Sequence, residues 1–289
     1  MNLGMHHKNI FFECVVSLLV LLCAAICLFP ILHILAMSLS SKNAILSGHV
    51  SILPVGFNID AYKKVLADPS FLYSFGYSIA LTLLFTFFAM TATILAAYPL
   101  SKSDLKGKGI IMTLIVLTMY LDPGLIPNYL NIKNLGLMNT VWALIFPGIL
   151  SAYNLIILKT FFTGIDKSLF ESAYIDGCTE WKALIHIAIP LAKPSIATLS
   201  LFYGVSRWNG VSDVLYYISN SNLYTVQMKL KQMIDSIVLP PGETSEVVTL
   251  IAENVKSATI VFSMIPVLLF YPFVQRYFTK GIMLGAVKG

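Results

Sequence analysis

Six stretches of this chain are long and apolar enough to lie in lipid, and they limit its fold more than any other feature. They run about 10–37, 71–100, 110–130, 141–162, 196–218 and 257–278. A helix needs roughly 20 apolar residues to cross the hydrocarbon core. Backbone polar groups at that depth must be satisfied internally, which helices do. Charged residues make up only 11% of the chain and hydrophobic ones 57%, against about a quarter charged in soluble domains. The expectation is an all-α integral membrane protein with six transmembrane helices, forming a single transmembrane domain over 1–289. The first run is too long for a secretory signal, and no small-residue cleavage site follows it, so it reads as a retained span.

Lysine and arginine in the short connections set the orientation. With the N-terminus in the cytoplasm, the inside regions hold eleven Lys and Arg against six acids, and the cluster Lys102, Lys106, Lys108 gives the clearest signal. Both termini and residues 163–195 then face the cytoplasm, and the loops at 38–70 and 219–256 face outward. The chain reads as a multi-pass protein of the cell membrane. Its net charge of +5 is spread along the sequence, which speaks against nucleic acid as a partner. Three of the four cysteines, Cys14, Cys23 and Cys27, fall in the first apolar run. They read as small apolar residues of a helix bundle rather than as a disulfide framework. His6-His7 has no further ligand at metal-binding spacing, so no metal site is expected. Prolines at 30, 123, 127, 147, 266 and 272 interrupt the runs. Such breaks are tolerated where helices pack or line a cavity.

The polar segment from Glu171 to Pro190 stands out between these runs. Ser168 precedes Glu171 by three residues, a capping-box spacing that predicts a helix start. Leu169, Phe170, Ala173 and Tyr174 repeat at helical spacing. Gly177 fits the position just past a helix end, where a left-handed backbone is needed. Thr179 suits the cap of a second helix over 180–189, which Pro190 is expected to stop. The local physics describes two short helices meeting at a bend. It leaves open whether Glu171 only caps its helix or faces a partner.

The pattern Glu171-Ser172-Ala173, Gly177, Ile187, Ile189, Pro190 resembles the cytoplasmic "EAA" loop of permease subunits in binding-protein-dependent ABC importers. Ser172, Cys178 and Ile189 are mild departures from it. Ala96 to Lys102, Gly124 to Pro127, Asn134 to Thr140, Trp208-Asn209 and the C-terminal region are similar to the carbohydrate-importer branch, which includes the second permease of the maltose importer. Asp122 to Tyr129 and Asn222 to Tyr224 look closer to permeases for oligosaccharides from polysaccharide breakdown. The resemblance implies the type I ABC importer permease fold with a cytoplasmic coupling helix. It implies a heterodimer with a second, homologous permease, two ATPase subunits beneath it and an extracytoplasmic solute-binding protein. This chain would be non-catalytic: it lacks a Gly-x-x-x-x-Gly-Lys-Ser/Thr loop, and ATP and Mg would sit on the partner ATPases. Ser168, Glu171, Ser172, Ala173, Asp176, Gly177, Ile187 and Pro190 would form the ATPase-coupling element. Gly285, Ala286, Val287, Lys288 and Gly289 would reach between the ATPases.

The implied cargo is a sugar, in particular an oligosaccharide, with acidic uronate- or alginate-type sugars among the expected ones. Arg207-Trp208-Asn209 lies near the middle of the fifth run, where a charge is costly and its default reading is functional. Arg207 offers a cation for a uronate, Trp208 a stacking face and Asn209 hydrogen bonds. The alternative for Arg207 is an ion pair with an acid such as Asp122, or with the partner permease. Asp122, Asn128, Tyr129, Tyr153 and Asn154 are weaker candidates for the substrate path. The outward loop 219–256 carries Pro240-Pro241-Gly242, Glu243, Glu246 and Glu253 and is long for a bundle connection, which favours a docking role. A secondary, ion-coupled transporter is the competing reading. It calls for inverted repeats and intramembrane carboxylates, and only Asp122 and Asp213 qualify. An intramembrane enzyme would need a nucleophile–base pair at depth, and His33 and Ser38 do not complete one.

Overall fold

The computed structural model describes residues 7–235, 253–270 and 272. Among them the regular structure is all helical: α1 His7–Ser38, α2 Lys42–Leu46, α3 Asp60–Ala67, α4 Pro69–Ser101, α5 Lys108–Leu117, α6 Leu125–Asn134, α7 Ala152–Thr163, α8 Lys167–Ile175, α9 Glu180–Leu191, α10 Lys193–Trp208, α11 Ser212–Tyr217, α12 Val226–Asp235 and α13 Glu253–Phe270. Three of these, within α1, α4 and α13, are long and apolar enough to cross a membrane.

The other apolar runs are broken. The third is not one continuous helix. α5 ends at Leu117, the chain turns through Asp122-Pro123-Gly124, and α6 begins at Leu125. Gly124 has φ +83, a conformation open to glycine at little cost, and its N–H is held by Asp122 Oδ1 at 2.9 Å. In the fourth run two short 3-10 turns, Val141–Leu144 and Phe146–Gly148, precede α7 at a bend of 53°. α9 and α10 meet at 81° across Ala192. Counting each bent pair as one span gives up to five.

The chain packs as two compact units. One covers Met1–Phe71 and Leu230–Met264, the other Leu72–Lys229 and the residues from Ile265 onward. In the first unit, Ser40 Oγ donates to Ala36 O at 2.6 Å and accepts from Val55 N at 3.0 Å, closing the turn after α1. Tyr62 and Phe71 both pack edge-on to Phe262. Among the described residues, none covers most of α1, whose apolar stretch is exposed along its length. Cys14, Cys23 and Cys27 are free thiols on that exposed surface, not packed inside a bundle formed by the described residues.

In the second unit α4 runs through the core. Leu81, Phe85, Ala89, Ala97 and Tyr98 pack with Leu158 and Phe162 of α7, Leu184 and Ala188 of α9, and Leu199 and Tyr203 of α10. The Tyr203 hydroxyl is buried and shared with Thr93 Oγ1 at 2.7 Å, and it accepts the Ser151 N–H at 3.0 Å. Burying that phenol is tolerable because its polar tip is fully used. Asn139 takes a left-handed backbone with φ 59, and its side chain accepts from the N–H groups of Ser219 and Asn220.

Candidate functional site

The polar segment between α7 and α10 folds into two short helices, α8 and α9, joined by a tight bend. The cap of α8 differs from the sequence expectation. Asp166, not Ser168, is the N-cap, and its carboxylate accepts the Ser168 N–H at 3.0 Å. The helix therefore starts at Lys167, Ser168 sits inside the first turn, and Glu171 is too far along to close a capping box. Asp competes well for that position because its side chain reaches the free N–H groups of the first turn.

The bend follows the expected chemistry. Gly177 has φ +78. The Cys178 N–H bonds to Ala173 O at 2.9 Å and the Gly177 N–H to Tyr174 O at 3.0 Å, the paired bonds of a Schellman motif. A Cβ at Gly177 would meet nothing within 4 Å, so glycine is required by backbone conformation and not by space. Thr179 caps α9, accepting the Lys182 N–H at 3.5 Å.

Pro190 does not stop α9. The chain shifts to a π-helix over Leu184–Ala188, with the Ile189 N–H bonded to Leu184 O, and continues to Leu191. A proline inside a helix has no N–H for the carbonyl four residues back and crowds it. The wider π turn absorbs that conflict, as at other π-bulges. The stop comes at Ala192, ahead of Pro194 in the first turn of α10.

A cluster not anticipated from sequence fixes this helix pair to the end of α4. Glu180 Oε2 accepts from Tyr98 OH at 2.8 Å and pairs with Lys102 Nζ at 3.3 Å. Glu180 Oε1 accepts from Tyr174 OH at 2.8 Å, and Lys102 Nζ donates to that same hydroxyl at 2.7 Å. The ammonium lies 4.7, 4.4 and 5.2 Å from the ring centroids of Tyr98, Phe170 and Tyr174, within cation–π range. Burial works against the Glu180 carboxylate, but the hydrogen bonds from Tyr98, Tyr174 and Lys102 and the Lys102 charge outweigh it and hold its pKa below the ordinary value. A depressed carboxylate pKa contributes stability above the unfolded value and loses it as pH falls through the folded one. The Glu180 carboxylate is thus charged at neutral pH, and its contribution is lost as the pH falls into the acid range.

The outer face of the pair carries free polar and apolar groups. Among the described residues, the Glu171 and Asp176 carboxylates have no hydrogen-bond or ion-pair partner, and both are exposed. Ile175 is 87% exposed and Trp181 64%. Ser172 is exposed, and Ala173 and Ile187 are half-buried.

Arg207 is buried, and its charge is balanced within the chain. The guanidinium makes a two-armed pair with Asp213, donates to Leu144 O at 3.0 Å, and lies 5.9 Å from the Phe85 ring. Asp122 is not its partner; it is exposed and engaged with Gly124. A carboxylate six residues on is reached because α10 ends at Trp208 and the chain turns through Gly210 into α11. A Cβ at Gly210 would sit 2.5 Å from Arg207 Nη2 and 3.1 Å from Cζ. Gly210→Ala should therefore lower stability by about 1–3 kcal/mol, the usual cost of overpacking, read as a lower unfolding temperature of the purified protein.

The other path candidates are dispersed. Trp208 is buried edge-on to Phe75 at 5.9 Å. It lines an apolar cleft of about 230 Å³ with Thr82, Thr86, Gly204 and Phe270. Asn209 is exposed at the helix end. Asn128 and Tyr153 are exposed, Tyr129 is half-buried, and Asn154 is buried in the first turn of α7. The residues Gly285 to Gly289, and the loop positions Pro240 to Glu246, lie outside the described residues.

Comparison with known proteins agrees with this architecture. The family described as binding-protein-dependent transport system inner membrane component matches residues 8–284. The chain is 39% identical over 285 residues to the polygalacturonan/rhamnogalacturonan transport system permease protein YtcP of Bacillus subtilis, covering 98% of this chain and 100% of that protein. It is 40% identical over 267 residues to the protein LplC of the same organism, covering 92% and 90%. Among solved structures, a chain from a bacterial ABC transporter involved in import of the acidic polysaccharide alginate superposes with a TM-score of 0.86 at 32% identity, covering 96% of this chain and 100% of that one. With the match running almost from end to end, the chain belongs to the family of binding-protein-dependent transport system inner membrane components.

Proposed function

We propose that this chain is one permease half of an ATP-driven sugar importer, and that residues Glu171 to Pro190 are the surface on which an ATPase subunit docks. The observation that carries the docking assignment is the free outer face of the bent helix pair. Glu171 and Asp176 are unpaired carboxylates beside an Ile175 that is 87% exposed. Its inner face is tied to α4 through Glu180 and Lys102. An exposed ion pair contributes little, but losing one partner of a desolvated, charge-assisted pair is strongly unfavourable. Glu171 is released for that role because Asp166 does the capping.

Membership of the family supports the rest of the assembly. A second permease completes the channel, a second ATPase docks on it, and a solute-binding protein delivers sugar from outside. Lipid or the second permease would cover α1, whose apolar stretch is left exposed by the described residues. Both termini would be cytoplasmic. No step of ATP hydrolysis would involve this chain.

The favoured cargo is an acidic oligosaccharide. Support comes from the relatives, one named for polygalacturonan and rhamnogalacturonan and one for alginate. It does not come from Arg207, because Asp213 already neutralises that charge. The test is uptake by the reconstituted importer with its binding protein. Oligogalacturonides or alginate oligomers should be accumulated in an ATP-dependent manner, and neutral maltodextrins should not. Uptake by this chain alone, driven by an ion gradient without ATP, would instead identify a secondary transporter.

A further inference from the structure

We propose that Lys102 is the positioning residue through which movement of the docked helix pair reaches α4 and, along it, the opposite end of the second unit. The proposal rests on the reading of Glu171 to Pro190 as the ATPase-docking surface and adds the route by which force leaves it.

The contacts define a junction with one cation at its centre. Lys102 follows directly on α4 and touches both helices of the pair: Phe170 and Tyr174 on α8, and Glu180 on α9. Tyr98, one turn back on α4, reaches Glu180 as well. The Lys102 carbonyl is held in turn by Lys108 Nζ at 2.9 Å. Its side chain is 29% exposed, so the ammonium has exchanged much of its water for aromatic faces and a carboxylate. A set of mutually satisfied partners resists reorientation. The two short helices and the end of α4 therefore have one relative arrangement rather than a hinge.

From that junction α4 continues as one helix, with Pro99 in its last turn and no further proline before Pro69, so a displacement at one end appears at the other. From Ser78 to Ser101 it rises about 35 Å at 1.5 Å per residue. At the far end Ser78 Oγ accepts the Val226 N–H at 2.7 Å, at the start of α12. The bond is buried, and it joins α4 to the segment that follows α11. A path thus runs from the bent pair, through Lys102 and α4, to the backbone at Val226. Such a path has physical content only if breaking it changes coupling while leaving docking in place.

The experiment uses the complete importer, purified with its second permease and ATPases and reconstituted with its binding protein. Lys102→Met keeps the length and apolar stem and removes the charge. It is expected to retain ATPase subunits at wild-type stoichiometry and to keep basal ATP hydrolysis. The stimulation of hydrolysis by sugar-loaded binding protein, and transport with it, should fall by about tenfold, in the range of ordinary coupling energies. Lys102→Arg keeps the cation and should restore most of the stimulation, which a bare packing role would not require. Stimulation by Lys102→Met within about twofold of wild type would overturn the proposal. So would loss of the ATPase subunits, which would make the cluster part of docking. If Lys102→Met does not accumulate, Tyr98→Phe is read the same way: reduced stimulation supports the route and unchanged stimulation overturns it. Failure of the underlying reading has its own signature. An otherwise wild-type importer that transports while a photo-reactive amino acid at the exposed Ile175 captures no ATPase subunit would remove the docking surface from which the route starts.

Discussion

Replacing Asp213 with Ala should destabilise the protein by about 3–5 kcal/mol, the range seen when one partner of a buried ion pair is removed. The reason is the isolation of Arg207, whose side chain is 5% exposed. Without Asp213 the guanidinium keeps one acceptor, Leu144 O. Its Nε already has no partner among the described residues. At 5% exposure the guanidinium is almost closed to solvent, and an arginine does not shed its charge at any ordinary pH. The expected readout is a large drop in unfolding temperature in detergent and poor accumulation in the membrane. The double variant Arg207→Met, Asp213→Leu should recover most of the loss, since an apolar pair of similar volume needs no compensation. Equal destabilisation of the double and single variants would show that the charges are held for a reason other than their mutual neutralisation.

Gly177→Val should give the second large effect, on coupling rather than on folding. At φ +78 a side chain with a Cβ costs about 1–2 kcal/mol, and a β-branched one is worse placed still. No atom lies within 4 Å of the added Cβ, so the chain relieves the strain by changing the bend, not by pushing neighbours. α8 and α9 would then leave their fixed angle, and under the proposed docking the ATPase would no longer act on the channel in register. Sugar uptake by the reconstituted importer should fall by about tenfold or more, while ATP hydrolysis persists and the spans stay folded. Gly177→Asn should be mild, because asparagine tolerates the left-handed region. Normal transport by Gly177→Val would refute the requirement for the bend.

What could be read from sequence was local. Gly177 and Thr179 announce their roles because a left-handed cap and an N-cap are decided within a few residues. The apolar runs are equally plain, although composition does not reveal where they break. The third run is interrupted at Asp122-Pro123-Gly124 and the fifth at Asn209-Gly210, where turn residues override apolar character. Ser168 and Asp166 both suit a cap, and the choice depends on where the chain leaves α7, which no local pattern states. The effect of Pro190 is hidden from the sequence for a similar reason. A π turn is a tertiary compromise, favoured here because Leu184 and Ala188 are buried.

The Lys102 junction shows the same limit at long range. Lys102 and Glu180 are ordinary charged residues in a connection and in a polar helix. Their meeting depends on α4 packing against α7, α9 and α10 through Leu81, Phe162, Leu184 and Tyr203. The one available signal was the pair of aromatics Phe170 and Tyr174 at the start of the polar segment, excessive for a solvated loop. Arg207 was legible as unusual but not as satisfied, since its partner lies beyond a turn that the apolar run concealed.

The assignment of residues Glu171 to Pro190 as an ATPase-docking surface is tested most directly by cross-linking from Ile175, which is 87% exposed on the free face of the pair. A photo-reactive amino acid at that position, in the assembled and transporting importer, should yield on illumination one adduct whose mass is that of this chain plus one ATPase subunit. The adduct should weaken when Glu171 is replaced by Lys. Adducts to lipid alone, from an importer that still transports, would contradict the assignment.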